Sequence, residues 1–264
     1  MEQDIFKEIV KIRAEGEEAA LVTVISANGS TPQREGAKML VRADGGIVST
    51  VGGGRSEAEI IREAIGVIKK CKPQRLIYDL SEGGNAGMLC GGNFEVFIEP
   101  ILQVPTLFIF GGGHISLPLV KLANLVGFKI VVIDAPEVAN PETFPEAEQT
   151  LAIDLAKGFS DSELEIDKSG YVVIATRDHK HDEVVLESAL KTGAKYIGLV
   201  GSKTKAKAIF SNLLAKGISQ KLLDKVYTPI GLKINARTPE EIAVSILAEL
   251  IQVRRCAQTE TGDK

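Results

Sequence analysis

Apolar and polar positions follow two different rhythms along this chain. In the first hundred residues, short strand-like runs mix with helical stripes. Ile5, Ile9, Val10 and Ile12 give an opening helix its apolar face. Ala20–Ser26 is rich in β-branched residues and reads as a strand. Ala37–Val41 and Gly46–Val51 read as two more, joined by the tight-turn pair Asp44-Gly45. Ser56 and Glu59 form a capping-box pattern that opens a helix carrying Ile60, Ile61, Ala64, Ile65 and Ile68. Arg75–Leu80 and Phe94–Ile98 are further strands, with the glycine-rich Ser81–Gly92 between them.

From Thr106 onward, strands and helices alternate. Leu107–Phe110, Lys129–Ile133, Thr150–Ile153, Tyr171–Ala175 and Tyr196–Val200 read as strands, with Val226–Tyr227 a short sixth. Helices are expected from the glycine turn to about Val126, from about Glu183 to Thr192, and to about Leu214. Thr238-Pro239-Glu240-Glu241 opens a last helix, with Thr238 as cap, Pro239 at the first helical position and Glu241 closing the box. This alternation specifies a parallel sheet with helices on both faces. Glu99–Pro105, with two prolines, reads as a connection. The predicted architecture is α/β: an N-terminal mixed α+β domain over residues 1–100, then a Rossmann-like doubly wound parallel sheet over residues 101–264.

Composition narrows the class. The 264 residues are 44% hydrophobic and 25% charged, which suits a soluble globular protein with a core in each half. A net charge of −4 gives no electrostatic case for nucleic acid or an anionic membrane. No apolar run approaches the ~20 residues that span a bilayer. The acidic start Met1-Glu2-Gln3-Asp4 is no signal peptide. Cys71, Cys90 and Cys256 are scattered and odd in number, without disulfide framework or paired zinc spacing, which fits a reducing cytoplasm.

The strongest chemical signal lies after the strand at Leu107–Phe110. Gly111-Gly112-Gly113-His114-Ile115-Ser116 approximates G-x-G-x-x-G, with Ser116 in the last glycine's place. Glycines let the backbone approach a pyrophosphate, and the following helix offers free N–H groups. Asp134, about 20 residues on at the end of the next strand, is placed for a ribose hydroxyl. The alternative is a tight turn in a scaffold that binds nothing there.

Other polar clusters also follow strands: Thr176–Asp182, Gly201-Ser202-Lys203 and Pro229-Ile230-Gly231. Carboxyl ends of parallel strands share one edge, so these clusters are expected to converge with the glycine turn. Arg177, His179, Ser202 and Lys203 are therefore candidate ligand contacts, and Lys203 and Lys205 suit a second anionic group or a solvated helix end. His114 is a further phosphate candidate, with capping or packing as the equal alternative. His179 and His181, read as loop residues, could with Asp178 and Asp182 be metal ligands, but local spacing fixes no third ligand, so loop shaping or ligand contact is the favoured role.

In the first half, Gly29–Gly36 is a polar loop carrying Arg34, a residue suited to phosphate or a fused-ring edge. Gly52-Gly53-Gly54 precedes the predicted helix as a second possible anion site. Cys90 sits among glycines. It reads either as an accessible thiol, a candidate nucleophile or soft-metal ligand, or as a small buried hydrophobe.

Taken in order, these segments resemble the XdhC/CoxI family of molybdenum-hydroxylase accessory proteins. The resemblance is carried by Gly29-Ser30-Thr31-Pro32, Gly36–Met39, Gly52–Gly54 with Glu57 and Glu59, and Cys90–Gly92 in the first half. It continues through Gly111–His114, Asp134, Thr176–Asp182, Tyr196–Lys203, Pro229–Leu232 and Ala236–Ile246. The resemblance implies a cytoplasmic, dimeric protein that binds molybdenum cofactor (molybdopterin). It also implies that the protein helps insert the cofactor into xanthine dehydrogenase or a related hydroxylase, acting as a carrier rather than a catalyst. Two positions depart from the pattern: Arg55 stands where similar proteins often have cysteine, and Gln33 separates Pro32 from Arg34.

Two main functions follow, with a nucleotide-sensing regulator that acts through contacts with a partner as a weaker third. A pterin cofactor with a phosphate tail and a sulfur-held metal would use the glycine turn, Arg34 and Cys90, in a cleft between the halves. An NAD(P)-dependent oxidoreductase would use the Rossmann half, with Asp134 favouring NAD because a carboxylate repels a 2′-phosphate. Against the second, no catalytic pair is assigned by spacing.

Overall fold

Strands that alternate sides form the first unit, and strands buried on both sides form the second. In this computed structural model, residues 4–31, 33–79, 92–160 and 164–256 are described. The chain divides into two compact units, one ending at Gln103 and the other spanning Val104–Cys256.

The first unit runs α1 (Ile5–Ala14), β1 (Ala19–Asn28), β2 (Lys38–Arg42), β3 (Ile47–Val48), α2 (Gly54–Lys70), β4 (Gln74–Asp79) and β5 (Asn93–Ile101). Its strands form an antiparallel sheet in the order β3-β2-β1-β5-β4. Alternate residues Ala20, Val22 and Val24 of β1 join Met39, Val41, Val96 and Ile98 under Ile60, Ala64, Val67 and Ile68 of α2. Ala19, Leu40 and Val48 face the other way, onto Ile12, Ile5 and Ile9 of α1.

Three local expectations change here. Val10 is 68% exposed, because Ile5, Ile9 and Ile12 already define the buried stripe and Val10 falls off it. The connection expected from Glu99 starts later, since β5 continues through Ile101, with Pro100 opposite Ala20. Ser56 and Glu59 make no capping box. Helix α2 starts earlier, on the backbone freedom of Gly54, whose φ is +64°. Ser56, inside the first turn and buried, donates its hydroxyl to the Gly53 carbonyl at 3.4 Å.

The second unit contains β6 (Thr106–Phe110), α3 (Ser116–Leu125), β7 (Lys129–Asp134), β8 (Gln149–Ala152), β9 (Gly170–Ile174), α4 (His179–Ala189), β10 (Tyr196–Leu199), α5 (Lys203–Ala215), α6 (Gln220–Leu223) and α7 (Pro239–Cys256). All its strand pairs are parallel, in the order β10-β9-β6-β7-β8. Leu107 and Ile109 pack with Leu119 and Val120 of α3 and with Ala243 and Ile246 of α7. Phe108 and Phe110 pack the opposite way, with Val185 and Leu186 of α4 and Ala206 and Ile209 of α5. Burial on both faces is why these strands read as unbroken apolar runs.

The sixth strand reduces to one parallel bridge, Tyr227 beside Gly198. Pro229, just beyond, has no N–H with which to extend the ladder. Helix α4 begins at His179, four residues before the expected start, so His179 and His181 lie on a helix rather than in a loop. The expected box at α7 is present: the Glu241 N–H donates to the Thr238 hydroxyl oxygen at 3.3 Å, and the Thr238 N–H donates to the Glu241 carboxylate at 3.1 Å. Helix α7 runs through Cys256.

Candidate functional site

Strand order reverses between β6 and β9, and this switch point is where parallel sheets open a crevice at their carboxyl ends. The glycine turn leaves β6 there. Gly111 has φ +107°, and a Cβ on it would lie 2.3 Å from the Ala175 carbonyl oxygen. Glycine is thus required at this position by fold alone. A Cβ on Gly112 would meet Val138 Cγ1 at 2.5 Å. Gly113 differs: a Cβ there would meet nothing within 4 Å, and its φ is not positive. The open space beside Gly113 is where a ligand could approach the main chain. Among the described residues, the Gly113 and His114 N–H groups donate to no protein acceptor. They precede the first turn of α3, whose N-terminal dipole end favours an anion. Ser116, in the third glycine's place, is fully buried and donates its hydroxyl to the Gly111 carbonyl.

Asp134 ends β7 beside this turn. Its Oδ2 accepts from the Gly112 N–H at 2.8 Å and its Oδ1 from the Ala135 N–H at 2.7 Å. The carboxylate therefore braces the glycine turn, a role that sequence spacing did not disclose.

The loop after β9 lies against Gly111 and is held by Asp182 of α4. Asp182 is fully buried. Its Oδ1 accepts from the Thr176 N–H at 3.2 Å and the Thr176 hydroxyl at 2.6 Å. The Lys205 ammonium pairs with its other oxygen and reaches the Val200 carbonyl at 3.4 Å. Lys205, offered to an anion on sequence grounds, is thus committed to Asp182. Ser202 caps α5, accepting from the Lys205 N–H at 3.2 Å. Lys203 is exposed.

His114, Arg177 and His179 are exposed, and Lys180 follows them on α4. Asp178 caps α4, and the Lys180 N–H it accepts at 2.9 Å holds its carboxyl below the usual carboxylate range. His179 Nδ1 lies 3.3 Å from Asp178 Oδ1. Among the described residues, no three His, Cys, Asp or Glu side chains gather as a metal site.

Pro229-Ile230-Gly231 is held against α7. Gly231 packs on α7: a Cβ there would lie 2.4 Å from Ser245 Oγ, and its N–H donates to Glu249 at 3.0 Å. Glu249 is buried and also accepts from the Tyr196 hydroxyl, whose pKa is pushed up by burial first and then by the Glu249 carboxylate. Glu249 is an isolated acid on a helix, recognisable only once its tertiary partners are in place. Asp182 closes the polar cluster singled out in the sequence, but its bracing role depends on tertiary partners.

In the first unit, Arg34 is exposed on the loop after β1. Gly92, which opens into β5, is pressed against that loop: a Cβ on it would lie 2.5 Å from the Ser30 carbonyl oxygen. Cys90, Gly91 and Pro32 lie outside the described residues. At the Gly52–Gly54 segment, Thr50 accepts from the Gly52 N–H at 3.1 Å and donates its hydroxyl to Glu57. Arg55 is exposed on the first turn of α2.

Comparison with known proteins places this arrangement. The chain matches the XdhC Rossmann domain over residues 107–250 and the XdhC and CoxI family over residues 12–79. It is 35% identical over 165 residues to a Bacillus subtilis protein described as a probable xanthine dehydrogenase subunit, covering 61% of this chain and 46% of the relative. It is 24% identical over 281 residues to the molybdenum cofactor insertion chaperone PaoD of Escherichia coli, covering 95% of this chain and 88% of the relative. Against two of its curated relatives, the chain spans about half their length, 47% and 46%. A crystal structure described as a xanthine dehydrogenase from Bacillus halodurans superposes with a TM-score of 0.53 at 25% identity, covering 97% of each chain. The chain belongs to the XdhC and CoxI family, and its second unit is the XdhC Rossmann domain.

Proposed function

We propose that this protein binds molybdenum cofactor as cargo and aids its insertion into xanthine dehydrogenase or a related molybdenum hydroxylase. The observation that carries the reading is Gly113, a glycine that the fold does not require, set before a helix start with unspent N–H groups. An anionic phosphate tail fits such a cradle. Relatives named for cofactor insertion and for xanthine dehydrogenase supply the rest of the cargo's identity. In a client enzyme the cofactor supplies the metal centre for hydroxylation. Here the chain's own residues bind and orient. The Gly113 and His114 N–H groups take the phosphate, while Ser202, Lys203, Arg177 and His179 border the switch-point edge. Arg34 and Cys90 offer a cation and a soft sulfur donor from the first unit. Nothing in this reading needs turnover by the protein itself. A dimer in the cytoplasm belongs to the same proposal.

The test is to purify the full chain from a host that makes the cofactor. Bound pterin is then oxidised to its fluorescent form, and molybdenum is measured by mass spectrometry. Pterin and metal in step with protein support the reading; absence of both sinks it. Cys90→Ala should lower retention of the metal, and unchanged retention would make that thiol structural.

One observation favours a second reading. Asp134, at the end of β7, is the residue type and place for the ribose of NAD. Calorimetric titration with NAD(H) decides between the two readings, and a lack of binding disposes of the oxidoreductase.

A further inference from the structure

Helix α5 carries a second feature that the glycine turn does not use. Lys203, Lys205 and Lys207 crowd its first two turns, and no acidic residue stands in the first turn. Cations at the positive end of a helix dipole are unfavourable. Lys205 is compensated by Asp182. Lys203 and Lys207, one turn apart on the same face, make no ion pair among the described residues. Both line a groove of 410 Å³, whose wall is continued by Phe210 and Leu214. That volume is in the range of small-molecule sites. Thr228 lines the same groove. Its hydroxyl oxygen is enclosed and has no hydrogen-bond partner among the described residues.

We propose that this groove is a second binding site, for a small phosphomonoester that bears an apolar ring or short chain. Two ammonium groups one turn apart match a dianion. Phe210 and Leu214 give the apolar part a surface to cover, and Thr228 completes the groove wall. The site shares Lys203 with the switch-point edge but no residue with the glycine turn, and Lys207, Phe210 and Leu214 belong to it alone, so it stands whether or not the protein carries molybdenum cofactor.

The test uses the full chain and amide chemical shifts, with phenyl phosphate, inorganic phosphate and benzoate as probes. Phenyl phosphate should give saturable shifts along Lys203–Leu214 and at Thr228. Inorganic phosphate and benzoate should each bind about tenfold more weakly, since one lacks the ring and the other the second charge. Lys203→Ala/Lys207→Ala should weaken phenyl phosphate by about tenfold or more. Phe210→Ala should weaken phenyl phosphate but not inorganic phosphate. Thermal unfolding of each variant checks that the fold is kept. The proposal is overturned if no probe saturates, if inorganic phosphate or benzoate binds as tightly as phenyl phosphate, or if the lysine variant binds unchanged. Shifts that vanish in Gly113→Val but survive the lysine change would assign the binding to the glycine turn and overturn it as well.

Discussion

Asp134 accepts the Gly112 main-chain N–H at 2.8 Å, so the acid at the end of β7 holds the glycine turn in shape before any ligand arrives. A charge-assisted bond to a half-buried N–H is worth roughly 1.5–3 kcal/mol. Asp134→Ala should therefore lower stability by about 2 kcal/mol as well as weaken cofactor retention. Asp134→Asn, which keeps an acceptor, should recover part of both. Urea unfolding of the three proteins checks this. Unchanged stability in the alanine variant would mean that Asp134 serves only the ligand.

The Lys205–Asp182 pair predicts an asymmetry. Asp182 is fully buried, whereas the Lys205 side chain is 29% exposed. Removing the cation strands a buried carboxylate, and breaking a buried pair from that side costs about 3–5 kcal/mol. Lys205→Met should fall toward the lower end, because Asp182 keeps its bonds from Thr176. Asp182→Asn leaves a lysine that can reach water, and should cost about 1–2 kcal/mol. Equal losses, measured by denaturant midpoints, would contradict this account.

The same pair shows where sequence reading stops. The parallel sheet was legible because strands buried on both faces must be continuously apolar, as in Lys129–Asp134 and Gly170–Ile174. The α7 cap was legible because Thr238, Pro239 and Glu241 act within a single turn. Ser56 looked equally convincing, but Gly54 ahead of it lets α2 begin sooner. The polar start of α4 has no apolar period, and its one sign was Asp178 in the cap position. The choice of Lys205 over Lys203 for an internal partner depends on Asp182, more than twenty residues earlier in the chain, so no local pattern could contain it. At the candidate site, the glycine turn was readable, but the residues that brace it were not.

Stability should fall in acid through the contact between α4 and α5. Lys216 pairs with Glu183 at 2.9 Å and Glu187 at 3.2 Å. For Glu183, burial acts to raise the pKa, but Asn212 and Lys216 outweigh it and the net shift is downward. For Glu187, Lys191 and then Lys216 lower it. Both folded values lie below the ordinary 4.5. Their contribution is thus present above that pH and is lost as pH falls through the lowered values. Lys216 is shifted upward by Glu183 and Glu187, so its own contribution is present below 10.5 and is lost as pH rises through the raised value. Lys216→Met should flatten the acid limb of a stability–pH profile. A profile parallel to the parent below pH 4.5 would remove this contact as its cause.

Gly111 and Gly113 separate folding from binding within one turn. A side chain on Gly111 meets the Ala175 carbonyl oxygen at 2.3 Å from a backbone at φ +107°. Backbone atoms on both sides leave little room to adjust, so Gly111→Ala should destabilise by several kcal/mol, about 3 or more. Gly113→Ala meets no atom within 4 Å and has no positive φ to strain. It should leave the unfolding midpoint within about 0.5 kcal/mol of the parent, as surface changes usually do. Yet a methyl group there occupies the space in which a phosphate would touch the main chain. Cofactor retention should therefore drop in Gly113→Ala, and further in Gly113→Val, at nearly constant stability. Retention that stays at the parental level in both would show that the cofactor is held elsewhere, and the glycine turn would then be a feature of the fold alone.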